Sequence, residues 1–517
     1  MRWTRVAVLA STLSIVIAGC GVGPSDRPGV AVERPGAGGP APEQTTTPPE
    51  PPRAGLPQSD LSWIDCTEPT LRLLGLGPAP DGLVLECAEY STPIDAAGAV
   101  IGNFRNGAMR ARLPQTPADA PPLVLTSGSD RSSSATLAGL ALAQNGLLAE
   151  RPIVAVDRRG IGTSQPIDCL PLDIRQNLAD HAQFGPGADP VTSMGELSQE
   201  ATISCRDFLQ PYESTFDAAH AADDIEQLRL QWQVEHIDMI GTGNGAFVAL
   251  SYARKYGDHL ARLVLDSPEA VATDAVTAQE QRLRGAEAAL TGFAQRCVAQ
   301  GCALGGDPRA AVAELARRAA AGELGTVSEA ALLTAILGVL GAPNADRSAV
   351  VTELADTLAA ARDGDRARLE NLVLRENAAT ESDGQFVNRC TDVQGPPSAT
   401  NATQLAQNWA GTYPVFGRQA AIGLMLCSAW PVSEPPAAPA DFELPVLVLT
   451  GQADPVVGEG GQASVTGALG AAGARHATVA WQGWGHPVAP HSGCAQRMVS
   501  EYLNEGRLPR DGSVCPA

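Results

Sequence analysis

The chain has 517 residues, a formal net charge of −21 and a pI near 4.7. An acidic surface of that size repels phosphate backbones and excludes nucleic acid as an expected partner. The length allows one large core with an inserted subdomain, or two domains. Of the 36 basic residues only Lys255 is a lysine, which reflects a compositional bias rather than a binding role.

Residues 1–20 read as an export signal: Arg2 and Arg5 supply a positive start, and the apolar run 6–17 is too short to span a bilayer comfortably. The run ends in Ile17-Ala18-Gly19-Cys20, a bacterial lipobox pattern in which the signal is cut before a lipid-modified cysteine. The expected location is therefore outside the cytoplasm, on the membrane through the lipid on Cys20 alone, with simple secretion as the alternative. Residues 21–59 are dense in Pro, Gly, Thr and Ala and are expected to form a flexible spacer.

Ten cysteines remain once Cys20 is set aside, an even number that suits disulfides in an exported chain. Neighbour pairing is the simplest of the possible connectivities: Cys66 with Cys87, Cys169 with Cys205, Cys297 with Cys302, Cys390 with Cys427, and Cys494 with Cys515. None of these sits with histidines at zinc spacing, so no metal site is expected, and nothing in the chain calls for a cofactor.

Short antiparallel strands are predicted from Leu83 to Leu113, followed by buried strands at 123–126 and 153–157 with a helix at 135–148 between them, a βαβ unit. A helix over 218–230, with Asp223 and Asp224 outward and Ile225 and Leu228 inward, leads to a strand at 237–242, a second helix, and a strand at 262–266. Between 270 and 432 alanine-rich helical segments at 310–321, 329–340 and 350–362 interrupt the alternation and read as an inserted helical cap. The core, begun over 60–269, resumes over 433–517 with a strand at 444–450, a helix at 461–471 and a strand at 476–481. The fold class expected is α/β, a mostly parallel sheet flanked by helices and carrying a helical cap.

Three loops at strand ends carry the residues of chemical interest. Gly241-Thr242-Gly243-Asn244-Gly245 lies between strand and helix, in the pattern of a nucleophile elbow whose central residue is normally serine. Asp454, in Gly451-Gln452-Ala453-Asp454-Pro455, and His486, in Trp484-Gly485-His486, follow later strands. Elbow, acid, base is the chain order of the α/β-hydrolase triad, in which the acid orients the imidazole and the base takes the nucleophile's proton. Read singly, Asp454 is a turn-forming residue and His486 an ordinary loop histidine; the shared order is what joins them. A phosphate loop built on Gly241, Gly243 and Gly245 is disfavoured, because the spacing is not G-x-G-x-x-G and the site follows a late strand.

These features, with Glu86-Cys87-Ala88, the run 157–164, Thr215, Asp223-Asp224, Leu228-Arg229, Leu263-Val264-Leu265-Asp266, Cys390, Asp392, the run 427–431 and the tail 502–509 ending in Cys515, resemble the secreted, cap-bearing tripeptidyl and prolyl aminopeptidases of actinobacteria. That family belongs to the α/β-hydrolase superfamily, and its TAP-like part corresponds to the C-terminal region here. The resemblance covers nearly the whole chain beyond the spacer and implies a serine peptidase acting on peptide N-termini.

The chain departs from that family twice. Gly243 stands where the serine would be, so neither covalent attack nor a hydroxyl to deprotonate is available there; Ser251, two helical turns on, is no substitute. The oxyanion loop, glycine-dense in the family, reads Ser127-Gly128-Ser129-Asp130-Arg131-Ser132-Ser133-Ser134, with the oxyanion region expected at Gly128, Ser129 and Asn244. Asp130 would bring negative charge to the place where negative charge must develop. The expected function is a catalytically impaired homologue that binds peptides or cell-wall fragments in its cleft. The alternative is an active hydrolase in which Asp454 and His486 activate a water.

Overall fold

A computed structural model describes residues 52–517 apart from 144–145, 186–188, 344–346 and 432–441. The expected signal segment, Cys20 and most of the spacer lie outside the described residues. Among those described, ten strands form one sheet: β1 (Ile64–Asp65), β2 (Val84–Pro93), β3 (Asn103–Arg112), β4 (Leu123–Thr126), β5 (Ile153–Val156), β6 (Ile237–Thr242), β7 (Leu260–Asp266), β8 (Val446–Ala453), β9 (His476–Trp484) and β10 (Ser513–Cys515). Their order is β1-β2-β3-β5-β4-β6-β7-β8-β9-β10, antiparallel as far as β5 and parallel from there on.

The central strands are apolar on both faces because both faces are covered. Leu123, Leu125, Ile153, Ala155, Ile240, Val264, Leu447 and Leu449 join one buried cluster. Their neighbours Val124, Val154, Met239, Leu263, Leu265, Val446 and Val448 join another, as a side-chain period of two requires. The helices Ala218–Trp232 and Gly245–Tyr256 contribute Ile225, Leu228, Val248 and Tyr252 to the second cluster.

Between β7 and β8 the chain forms a helical cap with its own core, in which Phe293, Leu315, Leu332, Ile336, Leu354, Leu358 and Trp409 are buried together. A second helical segment, Leu172–Ala179 and Pro190–Leu209, leaves the sheet between β5 and β6. Its Val191, Met194, Ala201, Cys205 and Leu209 pack with Phe386, Val387, Met425 and Trp430 of the later insertion. The cap is thus made from two stretches of chain, and the buried positions of the earlier one, Ser198 included, recur every three or four residues as one face of a helix does. Disulfides join Cys66 to Cys87, Cys169 to Cys205, Cys297 to Cys302, Cys390 to Cys427 and Cys494 to Cys515.

Two expectations are corrected. The spacer does not run to Ser59: Gly55 N–H donates to the His236 carbonyl at 3.0 Å, Gln58 N–H to that of Trp232 at 2.9 Å, and Arg262 Nη1 to that of Pro52 at 2.9 Å. Backbone donors that find carbonyls on the core hold the chain down whatever its composition. Nor do Asp223 and Asp224 face outward; both are buried. Asp224 accepts from Arg159 Nε at 2.8 Å and Nη2 at 2.7 Å, while the other Arg159 donors reach the Ile94, Pro93 and Thr215 carbonyls. Asp223 accepts from Tyr256 Oη at 2.7 Å and pairs with Lys255. Charge on a helix marks an outer face only when no buried partner awaits it.

Removing one member of such a pair leaves the other buried and uncompensated. Asp224→Ala is expected to lower unfolding free energy by about 3–5 kcal/mol, read from urea denaturation. A loss within the ~1 kcal/mol of an exposed pair would show that the Arg159 carbonyl contacts suffice without the carboxylate.

Candidate functional site

The turn after β6 carries Gly243 at φ +55°, the left-handed region where a side chain is strained. Gly243 N–H donates to the Asp266 carbonyl and Glu269 N–H to the Gly243 carbonyl, both at 3.1 Å, which fixes the turn against the end of β7. The loop after β4 lies beside it. Thr242 Oγ1 donates to Ser127 Oγ at 2.9 Å, and Gly128 (φ +66°) passes so near Asn244 that a β-carbon there would stand 2.4 Å from Asn244 Oδ1.

Asp454 and His486 are brought together as their order predicts. His486 Nδ1 lies 2.8 Å from Asp454 Oδ2, while Asp454 Oδ1 accepts from the Val456 and Val457 amides at 2.8 and 3.0 Å. Asp454 is fully buried and His486 nearly so. Nε2 of His486 faces the elbow: a β-carbon built on Gly243 would be 3.0 Å from it.

The loop that carries His486 hangs on Asp266, a residue without an assigned role in the sequence reading. Its carboxylate oxygens accept the Val488 and Ala489 amides at 2.8 Å each. Burial pushes the Asp266 carboxyl up to about 6, against the pull of those amides.

The oxyanion region is occupied from within. Asn244 N–H, the donor that follows the nucleophile position, is given to Asp130 Oδ2 at 2.9 Å. Ser129 N–H and Ser129 Oγ both go to Asn244 Oδ1 at 3.0 Å, and Ser129 is fully buried. Two of the donors expected to face a developing oxyanion are therefore committed to the protein's own oxygens. The Asp130 carbonyl accepts from Gln385 Nε2 of the cap at 3.2 Å, and Arg131 pairs with cap residue Glu376 at 3.0 Å. The loop after β4 is thus tied to the cap through Asp130 and Arg131.

Beneath the elbow, Asn244 Nδ2 donates to Glu269 Oε2 at 3.2 Å, Glu269 pairs with Arg282, and Arg158 pairs with Asp392 at 2.6 Å. Burial pushes the Glu269 carboxyl up; Arg282 opposes this and the Asp130 charge adds to it. For His486, burial alone would pull the imidazole down. The charge and hydrogen bond of Asp454, with the charges of Asp130 and Asp266, outweigh it and raise the ring above its ordinary value. Above this floor lies a cavity of about 370 Å³ under the cap, lined by Asp130, Asn244, Glu269 and His486 and by apolar side chains including Leu283, Leu333 and Phe416. Among the described residues no group of three or more His, Cys, Asp or Glu could hold a metal ion, and no helix is long and apolar enough to cross a membrane.

Family models match two parts of the chain: alpha/beta hydrolase fold over residues 138–319 and TAP-like protein over 413–515. This is an α/β-hydrolase fold with a TAP-like C-terminal region. Solved structures similar to this chain include an esterase from Rhodococcus sp. ECU1013, 15% identical, covering 81% of this chain and 98% of that one with a TM-score of 0.35. Another is the 2-hydroxy-6-oxo-6-phenylhexa-2,4-dienoate hydrolase of Rhodococcus sp. strain RHA1, 12% identical, covering 81% of this chain and 99% of that one with a TM-score of 0.37. A hydrolase from Pseudomonas aeruginosa PA01 is 14% identical over 77% of this chain and 91% of that one, with a TM-score of 0.33. No curated protein matches the chain.

Because His486 titrates above its ordinary value of about 6.5, its protonated form stabilises the fold. That contribution is full below about 6.5 and is lost as pH rises through the folded value. An NMR titration of the His486 ring should give a midpoint above 6.5 in the native chain, and Asp130→Asn should move it down by removing one of the charges that raise it. A native midpoint at or below 6.5, or one insensitive to Asp130→Asn, would contradict the electrostatic account.

Proposed function

We propose that this α/β-hydrolase homologue has lost serine acyl-transfer chemistry and keeps its cleft to bind peptides or cell-wall fragments, outside the cytoplasm and held to the membrane through lipid on Cys20. The observation that carries the reading is the bond from Asn244 N–H to Asp130 Oδ2 at 2.9 Å, beside a residue with no side chain. An acyl intermediate needs a nucleophile and a free oxyanion donor, and here the first is missing while the second is spent. Five disulfides support an oxidising compartment, and the apolar-walled cavity of about 370 Å³ supports retained binding.

A water activated by His486 and Asp454 is the less favoured reading. An imidazole that the charges of Asp454, Asp130 and Asp266 keep protonated must first lose that proton to act as a base, and the oxyanion formed by a water's attack would still find the Asn244 amide taken.

Labelling with a fluorophosphonate probe tests this. The native chain should not react at the elbow. Gly243→Ser alone should react slowly, because the new β-carbon would stand 3.0 Å from Asp130 Oδ2 and the donor remains engaged. Adding Asp130→Gly should free the amide and raise the labelling rate by roughly 10²–10³-fold, the contribution of one oxyanion donor. Turnover of N-terminal peptide substrates by the native chain that disappears in His486→Ala would defeat the proposal.

A further inference from the structure

The earlier cap segment puts a polar side chain on the cavity wall that neither the elbow nor the histidine loop explains. His181 follows the helix Leu172–Ala179 at φ +48°, with Ala182 at φ +58° after it. His181 N–H donates to the Leu178 carbonyl at 3.1 Å and Ala182 N–H to that of Asn177 at 2.8 Å. This is the closing turn of a helix, whose left-handed position is normally glycine. A histidine there is strained, and such strain persists only where the surroundings hold it. Gln183 of the same segment supplies that hold: it accepts from Glu329 N–H at 2.9 Å and donates to the Ala319 carbonyl at 2.7 Å, both in the later insertion.

The ring's tautomer follows from its partners. Glu329 pairs with Arg418 at 2.7 Å, and Gln419 Nε2 donates to the same carboxylate oxygen. A carboxylate only accepts, so the Gln419 amide is oriented with Oε1 toward His181, whose Nδ1 lies 3.0 Å away. Nδ1 therefore carries the proton and Nε2 the lone pair. Burial holds the ring below its ordinary value, against the pull of Gln419 and the Glu381 charge, which favours this neutral form. His181 borders the cavity, and among the described residues its Nε2 has no hydrogen-bond partner while keeping accessible surface. Gly423, also on the cavity wall, makes the room: a β-carbon there would stand 3.1 Å from Cε1 and 3.4 Å from Nε2.

We propose that His181 is a specificity-determining residue of the cleft, its Nε2 accepting a hydrogen bond from an uncharged ligand group, an N–H or O–H carried on an apolar chain. This rests on the reading that the cleft binds ligands, and adds which chemistry it selects. The carboxylate whose charge reaches the ring, Glu381, is paired with Arg389 at 3.5 Å, so it offers no unpaired charge to a cation. Leu333, Phe416 and Leu424 on the cavity wall suit the apolar chain. Discrimination comes from the penalty as much as from the bond. A ligand of the same shape without the donor would cover Nε2 and leave a dry acceptor unpaired. Because Gln419 and Glu329 fix the ring, it cannot turn its protonated nitrogen to the ligand instead.

The full chain, with heavy nitrogen in its histidines, is titrated with n-hexanol and hexanamide, which carry the donor as O–H and N–H. Hexyl methyl ether and N,N-dimethylhexanamide are the counterparts that lack it. Before any probe is added, proton–nitrogen spectra should show His181 protonated at Nδ1 alone. In at least one pair the donor probe should bind roughly tenfold more tightly than its counterpart and move the His181 Nε2 resonance; which pair does so tells O–H from N–H. His181→Gly, which suits the left-handed turn and so keeps the fold, should make the members of each pair bind alike. A ring protonated at Nε2 overturns the proposal, as does a donor preference that survives in His181→Gly. Equal binding within both pairs by the native chain overturns it too, while leaving the binding cleft standing. Absence of binding by all four probes overturns the retained cleft and this proposal with it.

Discussion

The amide of Asn244 has one hydrogen bond to give into the cleft, and Asp130 receives it. In an acyl-transfer site that donor contributes about 2.7–4 kcal/mol to the transition state, but only if it is free when charge develops. Here an incoming oxyanion must first displace a carboxylate whose charge-assisted bond is worth about 1.5–3 kcal/mol. The net gain left for catalysis is small, and the displaced Asp130 would remain nearby as a like charge. The position of Asp130 thus limits how far the Asn244 amide could serve an oxyanion, whatever residue stands at 243.

The rest of the site is built so that this contact persists. Gln385 and Glu376 reach down from the cap to the loop that carries Asp130 and Arg131. On the opposite side Asp266 holds the histidine loop by two amides, and Asp454 holds the ring. Both anchors sit at the ends of parallel strands, where the sheet's registers set their spacing. The elbow is clamped in the same way through the Asp266 carbonyl and Glu269 amide. Cap, sheet edge and elbow therefore meet at one point, and the cavity above it is lined by both insertions' neighbours and the core.

The α/β-hydrolase fold was legible because it depends on signals that repeat: apolar runs at strand length, helical spacing between them, and the elbow pattern at 241–245. The approach of His486 to Asp454 was legible from chain order. What could not be read was who pairs with whom across long separations. Asp223 and Asp224 look like a solvated helix face until Arg159, 65 residues earlier than Asp224, is seen to meet it. Asp266 is one more strand residue until the Val488 and Ala489 amides arrive from over 200 residues away. Asp130 was visible as a charge in the wrong place, but its bond to Asn244 depends on the angle at which two loops leave neighbouring strands, which local sequence does not encode. The earlier cap segment escaped for a simpler reason: its buried stripe includes Ser198, Ala201 and Cys205, which are weak hydrophobic markers.

The pairing of Asp454 with His486 in a site without serine has a physical cause that does not require catalysis. Asp454 is fully buried, and stripping its partner would leave an uncompensated charge. In a serine hydrolase the ring's Nε2 would face a hydroxyl; here the charge of Asp130 across the elbow favours the protonated ring. Residues 243 and 130 are then linked. A serine side chain at 243 would crowd Asp130 at 3.0 Å, while glycine leaves the carboxylate room beside the imidazole. Gly243 and Asp130 are thus sterically coupled: the absence of a β-carbon at 243 leaves room for the carboxylate that the elbow amide holds.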